Sequence, residues 1–207
     1  MTIQELDLDT PHGRARAHVA KVKRPRAALI LGHGAGGGIG AVDLVVSRDA
    51  AVDHRLSVAL VEQPYRVAGR RSPAPARQLD EAWMAVVSQL MAKTFRGLEP
   101  IVGGRSAGAR VACRTAAASD AIAVLCLAFP LRPPRRAGKP PADSRLPELD
   151  AVTVPVLVVQ GSGDRFGIPP AGRNRTVAEV RGDHSLRSDG DGVREAVSAW
   201  LGRLLPD

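Results

Sequence analysis

The sequence predicts an α/β fold, a mostly parallel central sheet with helices on both faces. Two observations carry the prediction. Short unbroken apolar runs (27–31, 57–61, 122–128 and 154–160) alternate with segments whose apolar residues recur at helical spacing. Runs of that kind are strands covered on both faces, and alternation with helices makes the sheet parallel. The second observation is the stretch 101–110, I-V-G-G-R-S-A-G-A-R, which passes from a buried strand directly into an alanine-rich helical segment.

In chain order, residues 15–21 alternate (Ala17 and Val19 against His18 and Ala20) and read as an edge strand. The run 27–31 leads into Gly32-His33-Gly34-Ala35-Gly36-Gly37-Gly38, and a helix follows with Val42, Val45 and Val46 on one face. The strand 57–61 ends at Glu62-Gln63-Pro64, and an Arg- and Pro-rich loop leads to a helix over 78–93. Leu79, Trp83, Val86 and Leu90 form its apolar stripe, which makes Trp83 a core residue. The strand 100–103 and helix 107–118 flank the serine segment. The strand 122–128 follows, then a proline- and arginine-rich excursion over 132–150, a strand over 154–160 and a last strand over 176–180. Ala196, Val197, Trp200, Leu201 and Leu204 mark a closing amphipathic helix. Residues 1–207 thus read as one domain with a minimal lid, a length that buries a sufficient core without staples.

Hydrophobic residues make up 44% and charged residues 24%, ordinary for a globular protein. Cys113 and Cys126 fall in apolar segments and read as buried, reduced thiols, which places the protein in the cytoplasm. No secretory leader and no membrane contact are expected. The net charge of +8 invites a nucleic-acid reading, but aromatics are only 3% and the arginines are spread along the chain, so stacking platforms are missing and nucleic acid is not expected as a partner. A small-molecule substrate and a monomer or homodimer remain.

The chemistry gathers at the carboxyl ends of the strands. Gly104-Arg105-Ser106-Ala107-Gly108 is a G-x-S-x-G on a strand-to-helix turn, where a serine is forced into strained φ/ψ and its neighbours two residues away must lack bulk. Asp164 follows the 154–160 strand and His184 follows the last one, giving the order Ser106, Asp164, His184. In that arrangement His184 is the general base and Asp164 fixes its tautomer. Read singly, Ser106 is a helix N-cap, Asp164 a turn former and His184 a loop histidine; jointly the three are hard to obtain by accident. The other histidines lack metal-ligand spacing, and no metal or cofactor is expected. The glycine run admits two readings. Its backbone at Ala35, with the N–H of Ala107, binds an oxyanion; or Gly32-x-Gly34-x-x-Gly37, with Glu62 ending the next strand, is a dinucleotide fingerprint.

The set H-G-A-G-G, G-G-R-S-A-G-A-R, F-P-L, G-S-G-D-R-F-G and D-H-S-L resembles the α/β-hydrolase superfamily over about residues 27–204. It is similar in particular to a small branch near the dienelactone-hydrolase type that includes a testis-expressed protein and a chromatin-complex subunit. The resemblance implies Ser106 as nucleophile, Asp164 as acid and His184 as base, with Ala35 and Ala107 supplying oxyanion N–H groups. It leaves the substrate open, and some relatives serve in complexes. One departure stands out: only residues 161–175 connect the last two strands, so the usual crossover helix is reduced to a turn.

Three functional readings follow. They are a serine hydrolase acting on an ester, thioester or similar acyl bond, a non-catalytic interaction protein retaining the fold, and a dinucleotide-binding oxidoreductase. Arginines fill the loops at the carboxyl end of the sheet (Arg66, Arg70, Arg71, Arg105, Arg132, Arg135, Arg136, Arg165 and Arg187). Arg70, Arg105 and Arg165 are the candidate substrate-binding residues, suited to an anionic group.

Overall fold

The structure, a computed structural model, describes residues 2–133 and 142–206. Among these residues eight strands form one sheet: β1 (Ile3–Thr10), β2 (Gly13–Ala20), β3 (Ala27–Gly32), β4 (Leu56–Glu62), β5 (Pro100–Arg105), β6 (Ala123–Leu127), β7 (Val156–Gly161) and β8 (Arg175–Val180). Their order is β1-β2-β4-β3-β5-β6-β7-β8, with β1 and β2 antiparallel and all pairs from β4 to β8 parallel. Among the described residues six helices accompany them: α1 (Val42–Asp53), the single turn α2 (Pro64–Val67), α3 (Ala76–Gln89), α4 (Ala107–Thr115), α5 (Leu146–Asp150) and α6 (Gly190–Leu204).

The apolar runs are continuous because each strand feeds two cores. Ala28, Ile30, Val102 and Val124 face α3, α4 and α5 with Trp83, Leu90 and Phe129. Leu29, Leu31, Ile101 and Leu125 face α1 and α6 with Leu44, Val197 and Trp200. Trp83 is fully buried, as its spacing requires. Cys113 on α4 and Cys126 on β6 are buried free thiols whose Sγ atoms touch at 3.5 Å. That hydrogen bond, with burial, pushes the Cys126 thiol well above its ordinary range.

Four sequence expectations change. The stretch at 15–21 is not an edge, because β1 pairs outside it. Acids at Glu5, Asp7 and Asp9 lie across from His18, Arg16 and Arg14, and Arg16 Nε donates to Asp7 Oδ1 at 2.8 Å. Helix α1 buries Asp43, Leu44, Ser47, Ala50 and Ala51 rather than the Val42 side, and Val42 is exposed. Helix α3 ends at Gln89 and passes into a π-helical turn (Leu90–Thr94), so the stripe continues to Leu90 with a changed pitch. Helix α4 stops at Thr115, followed by a 3₁₀ turn (Ala117–Ser119). Of the excursion over 132–150, residues 134–141, including Arg135 and Arg136, lie outside the described residues. Between β7 and β8 there is no helix, as the short connection implies, and the two strands still pair in parallel.

Candidate active site

Ser106 joins β5 to α4 with φ 51° and ψ −108°, a conformation that costs a non-glycine residue about 1–3 kcal/mol and persists only when its surroundings enforce it. The enforcement is visible. The Ser106 N–H donates to the Leu127 carbonyl at 2.9 Å. A Cβ on Gly104 or on Gly108 would lie 2.5 Å from the Gly32 carbonyl oxygen, so α4 packs backbone to backbone on the end of β3. Both elbow glycines lack bulk because β3 leaves no room for it.

The loops after β7 and β8 bring the predicted partners to this serine. His184 Nδ1 lies 2.7 Å from Asp164 Oδ2, and His184 Nε2 lies 2.9 Å from Ser106 Oγ. Because Asp164 is an acceptor, Nδ1 carries the proton and Nε2 is free to accept from the hydroxyl. The short β7–β8 connection therefore does not displace the pair. Sequence reasoning missed what orients Asp164. Gln160, fully buried at the end of β7, donates from Nε2 to Asp164 Oδ2 at 2.7 Å and faces the carbonyls of Phe129 and Gly167 at 3.1 Å. The Phe166 N–H donates to Asp164 Oδ1 at 2.9 Å, and the Phe166 ring leans on His184 with centroids 4.3 Å apart. A polar residue closing an apolar strand four positions before the acid is the signal that could have found Gln160.

On the opposite side of Ser106 runs the glycine loop. His33 is buried; its Nδ1 donates to the Gly34 carbonyl at 2.8 Å and its Nε2 accepts the Gln63 N–H at 3.1 Å. Both ring nitrogens are thus committed in the neutral form, and burial holds the imidazole pKa below its ordinary value. The Gly34 carbonyl belongs to the same peptide as the Ala35 N–H. Fixing one fixes the other, because a trans peptide points them in opposite directions. Tyr65 Oη donates to the Ala35 carbonyl at 3.1 Å and pins the next peptide. Glu62, the acid of the dinucleotide reading, has its carboxylate 3.0 Å from His18 Nε2.

The three arginines part company. Arg105, read as substrate-binding, has protein partners on two elements. Its Nε lies 3.0 Å from Oδ2 of the fully buried Asp43 on α1, and Nη2 donates to the His184 carbonyl at 2.9 Å. Nη1 passes so close to Gly34 that a Cβ there would sit 2.8 Å away. Burial raises the Asp43 carboxyl above its ordinary value, and the Arg105 charge offsets this only in part. Arg70 is not brought to Ser106 at all. It lines a separate cleft of about 480 Å³ with His12, Gln63 and Tyr65, because the α2 turn carries the chain away from the serine. Arg165 does line the cleft of Ser106. It shares a cleft of about 840 Å³ with Ala35, Ser106, Phe166, His184 and Arg187. Among the described residues no group of three or more His, Cys, Asp or Glu side chains is placed to hold a metal ion, and no helix is long and apolar enough to cross a membrane.

A parallel sheet with a serine at a strained strand-to-helix turn and acid and base loops at the neighbouring strand ends is the architecture of α/β hydrolases. The chain belongs to that family: the alpha/beta hydrolase domain model matches residues 25–191. Solved structures agree on the fold. A serine hydrolase without a lid from Xanthomonas campestris superposes with a TM-score of 0.76 at 18% identity, covering 100% of this chain and 97% of that one. Est1E from Butyrivibrio proteoclasticus, with ferulic acid bound, gives 0.76 at 17% identity, covering 98% and 100%. The esterase Pf2001 from Pyrococcus furiosus gives 0.76 at 12% identity, covering 98% and 92%. No curated protein sequence matches the chain significantly.

Proposed function

We propose that the chain is a serine hydrolase that cleaves an ester, thioester or similar acyl bond of a small molecule through an acyl-enzyme. The observation that carries the reading is the chain of two hydrogen bonds, 2.7 and 2.9 Å, that links Asp164 through His184 to the hydroxyl of a strained Ser106. Ser106 Oγ attacks the acyl carbon as its proton passes to His184 Nε2. Asp164 stabilises the imidazolium, and the N–H groups of Ala35 and Ala107 receive the oxyanion. His184 then returns the proton to the leaving oxygen or sulfur as the acyl bond breaks. A water molecule, deprotonated by the same nitrogen, releases the acid. Esterases among the structural neighbours support the acyl-bond class. The buried thiols Cys113 and Cys126 fit a reducing cytoplasm.

A fluorophosphonate probe tests the proposal. Stoichiometric labelling of the native protein is expected, with none in Ser106→Ala, whose turnover of an activated ester falls by about 10³–10⁶-fold. A folded protein that takes no label would instead be a binding module on a hydrolase scaffold.

A further inference from the structure

The cleft in front of Ser106 is lined by three arginines and, among the described residues, by no carboxylate. Arg105 contributes little net field, because Asp43 lies against it. Arg165 and Arg187 are different. Arg165 belongs to the acid loop, directly after Asp164, and its guanidinium carbon stands 5.6 Å from the centroid of the Phe166 ring, the ring that leans on His184. Arg187 belongs to the base loop, three residues after His184. Both side chains are exposed, and neither forms an ion pair with a described residue. The nearby acid Asp183 does not line the cleft; the Ser185 N–H at 2.8 Å and hydroxyl at 2.6 Å donate to its Oδ1, and the Arg187 charge acts on it through space without forming an ion pair. Two guanidiniums that no described acid holds in an ion pair therefore stand on the two loops that carry the acid and the base.

We infer that this cleft selects a small acyl ester bearing a second, anionic group such as a carboxylate, held by Arg165 and Arg187 while the ester carbonyl meets Ser106. The inference rests on the hydrolase reading for its reaction but not for its binding chemistry. Guanidinium is the side chain suited to a carboxylate, and a one-sign cleft raises the local concentration of its counter-ion. Arg187 takes the place that sequence analysis gave to Arg70. Arg105 keeps its place in the cleft as a holder of the His184 loop.

The test separates binding from turnover. The Ser106→Ala chain, which cannot form an acyl-enzyme, is titrated by chemical-shift perturbation with monomethyl succinate and with dimethyl succinate. At low salt the monoanion is expected to bind about 10-fold more tightly, and the preference should shrink at about 0.5 M salt. Adding Arg165→Ala and Arg187→Ala together should bring the ratio to about one; both residues are exposed, and an unchanged melting temperature checks the fold. Equal affinity at low salt, saturation by neither compound, or a preference that survives the double replacement overturns the inference. Fluorophosphonate labelling of the unmutated chain is read beside it. Labelling without an anion preference removes this inference alone, whereas an anion preference without labelling removes the hydrolase reading alone.

Discussion

Two glycine-rich turns border the same serine, and they are built on opposite terms. At the elbow, Gly104 and Gly108 are pressed against the β3 backbone, and a single added carbon would collide with the Gly32 carbonyl oxygen at 2.5 Å. In the loop after β3, a Cβ on Gly36, Gly37, Gly38 or Gly40 would meet nothing within 4 Å. Gly34 stands between the two regimes, close to Arg105 but on the loop side. The same residue type therefore answers close packing in one turn and borders open cleft in the other. A glycine count alone would treat them alike.

The contrast can be broken most sharply at the elbow. Gly108→Ala should destabilise the protein by about 3 kcal/mol or prevent folding, because backbone rather than a flexible side chain must yield. Urea unfolding measures it, and a loss under about 1 kcal/mol would mean that the β3–α4 approach is looser than described. A smaller effect is expected from His33, which supports the loop from beneath. Its folded-state pKa is lowered from 6.5, so the unfolded chain takes up the proton first as pH falls. The stability it contributes is complete above about pH 6.5 and is lost on acidification below that, by at most about 1.4 kcal/mol per pH unit. The acids Asp7, Glu81, Asp183 and Asp189, whose pKa values are lowered, lose their contribution only as pH falls through the carboxylate range and below, and Asp43, raised by burial, acts in the opposite sense as pH rises from that range. Thermal melts between pH 5 and 7 should show this slope, and His33→Asn should flatten it; an unchanged slope would show that the imidazole is not buried neutral. The smallest effect belongs to the open loop. Gly38→Ala should be neutral or stabilising by about 0.5 kcal/mol, since it only restricts the unfolded chain, and a measurable destabilisation would erase the contrast.

Legibility in the sequence followed the range of the interaction. The elbow, Asp164 and His184 were readable because strand ends are local patterns and the sheet brings them together. Trp83 was readable from its period. Strand β1 was missed although its signal is present, the acids at 5, 7 and 9 mirroring Arg14, Arg16 and His18 across the hairpin. The pairing of Arg105 with Asp43, 62 positions earlier, had no local signature, and a buried ion pair was read as a free charge. Arg70 was misplaced because the direction of a loop after its strand depends on one helical turn, α2, that no apolar period marks.

The Arg105 contacts also have a mechanical meaning. Asp164 and His184 stand in the loops that follow the adjacent, paired strands β7 and β8, and Gln160 and Phe166 both donate to the acid, so the Asp164–His184 bond is held from several sides. Ser106 and His184 are 78 positions apart, and their 2.9 Å contact would otherwise be the compliant joint of the three-residue hydrogen-bonded chain. Arg105 is covalently next to the serine and bonded to the carbonyl of the histidine itself. It acts as a strut across that joint, so strain entering from the sheet must stretch the guanidinium bridge before it can open the gap between hydroxyl and imidazole.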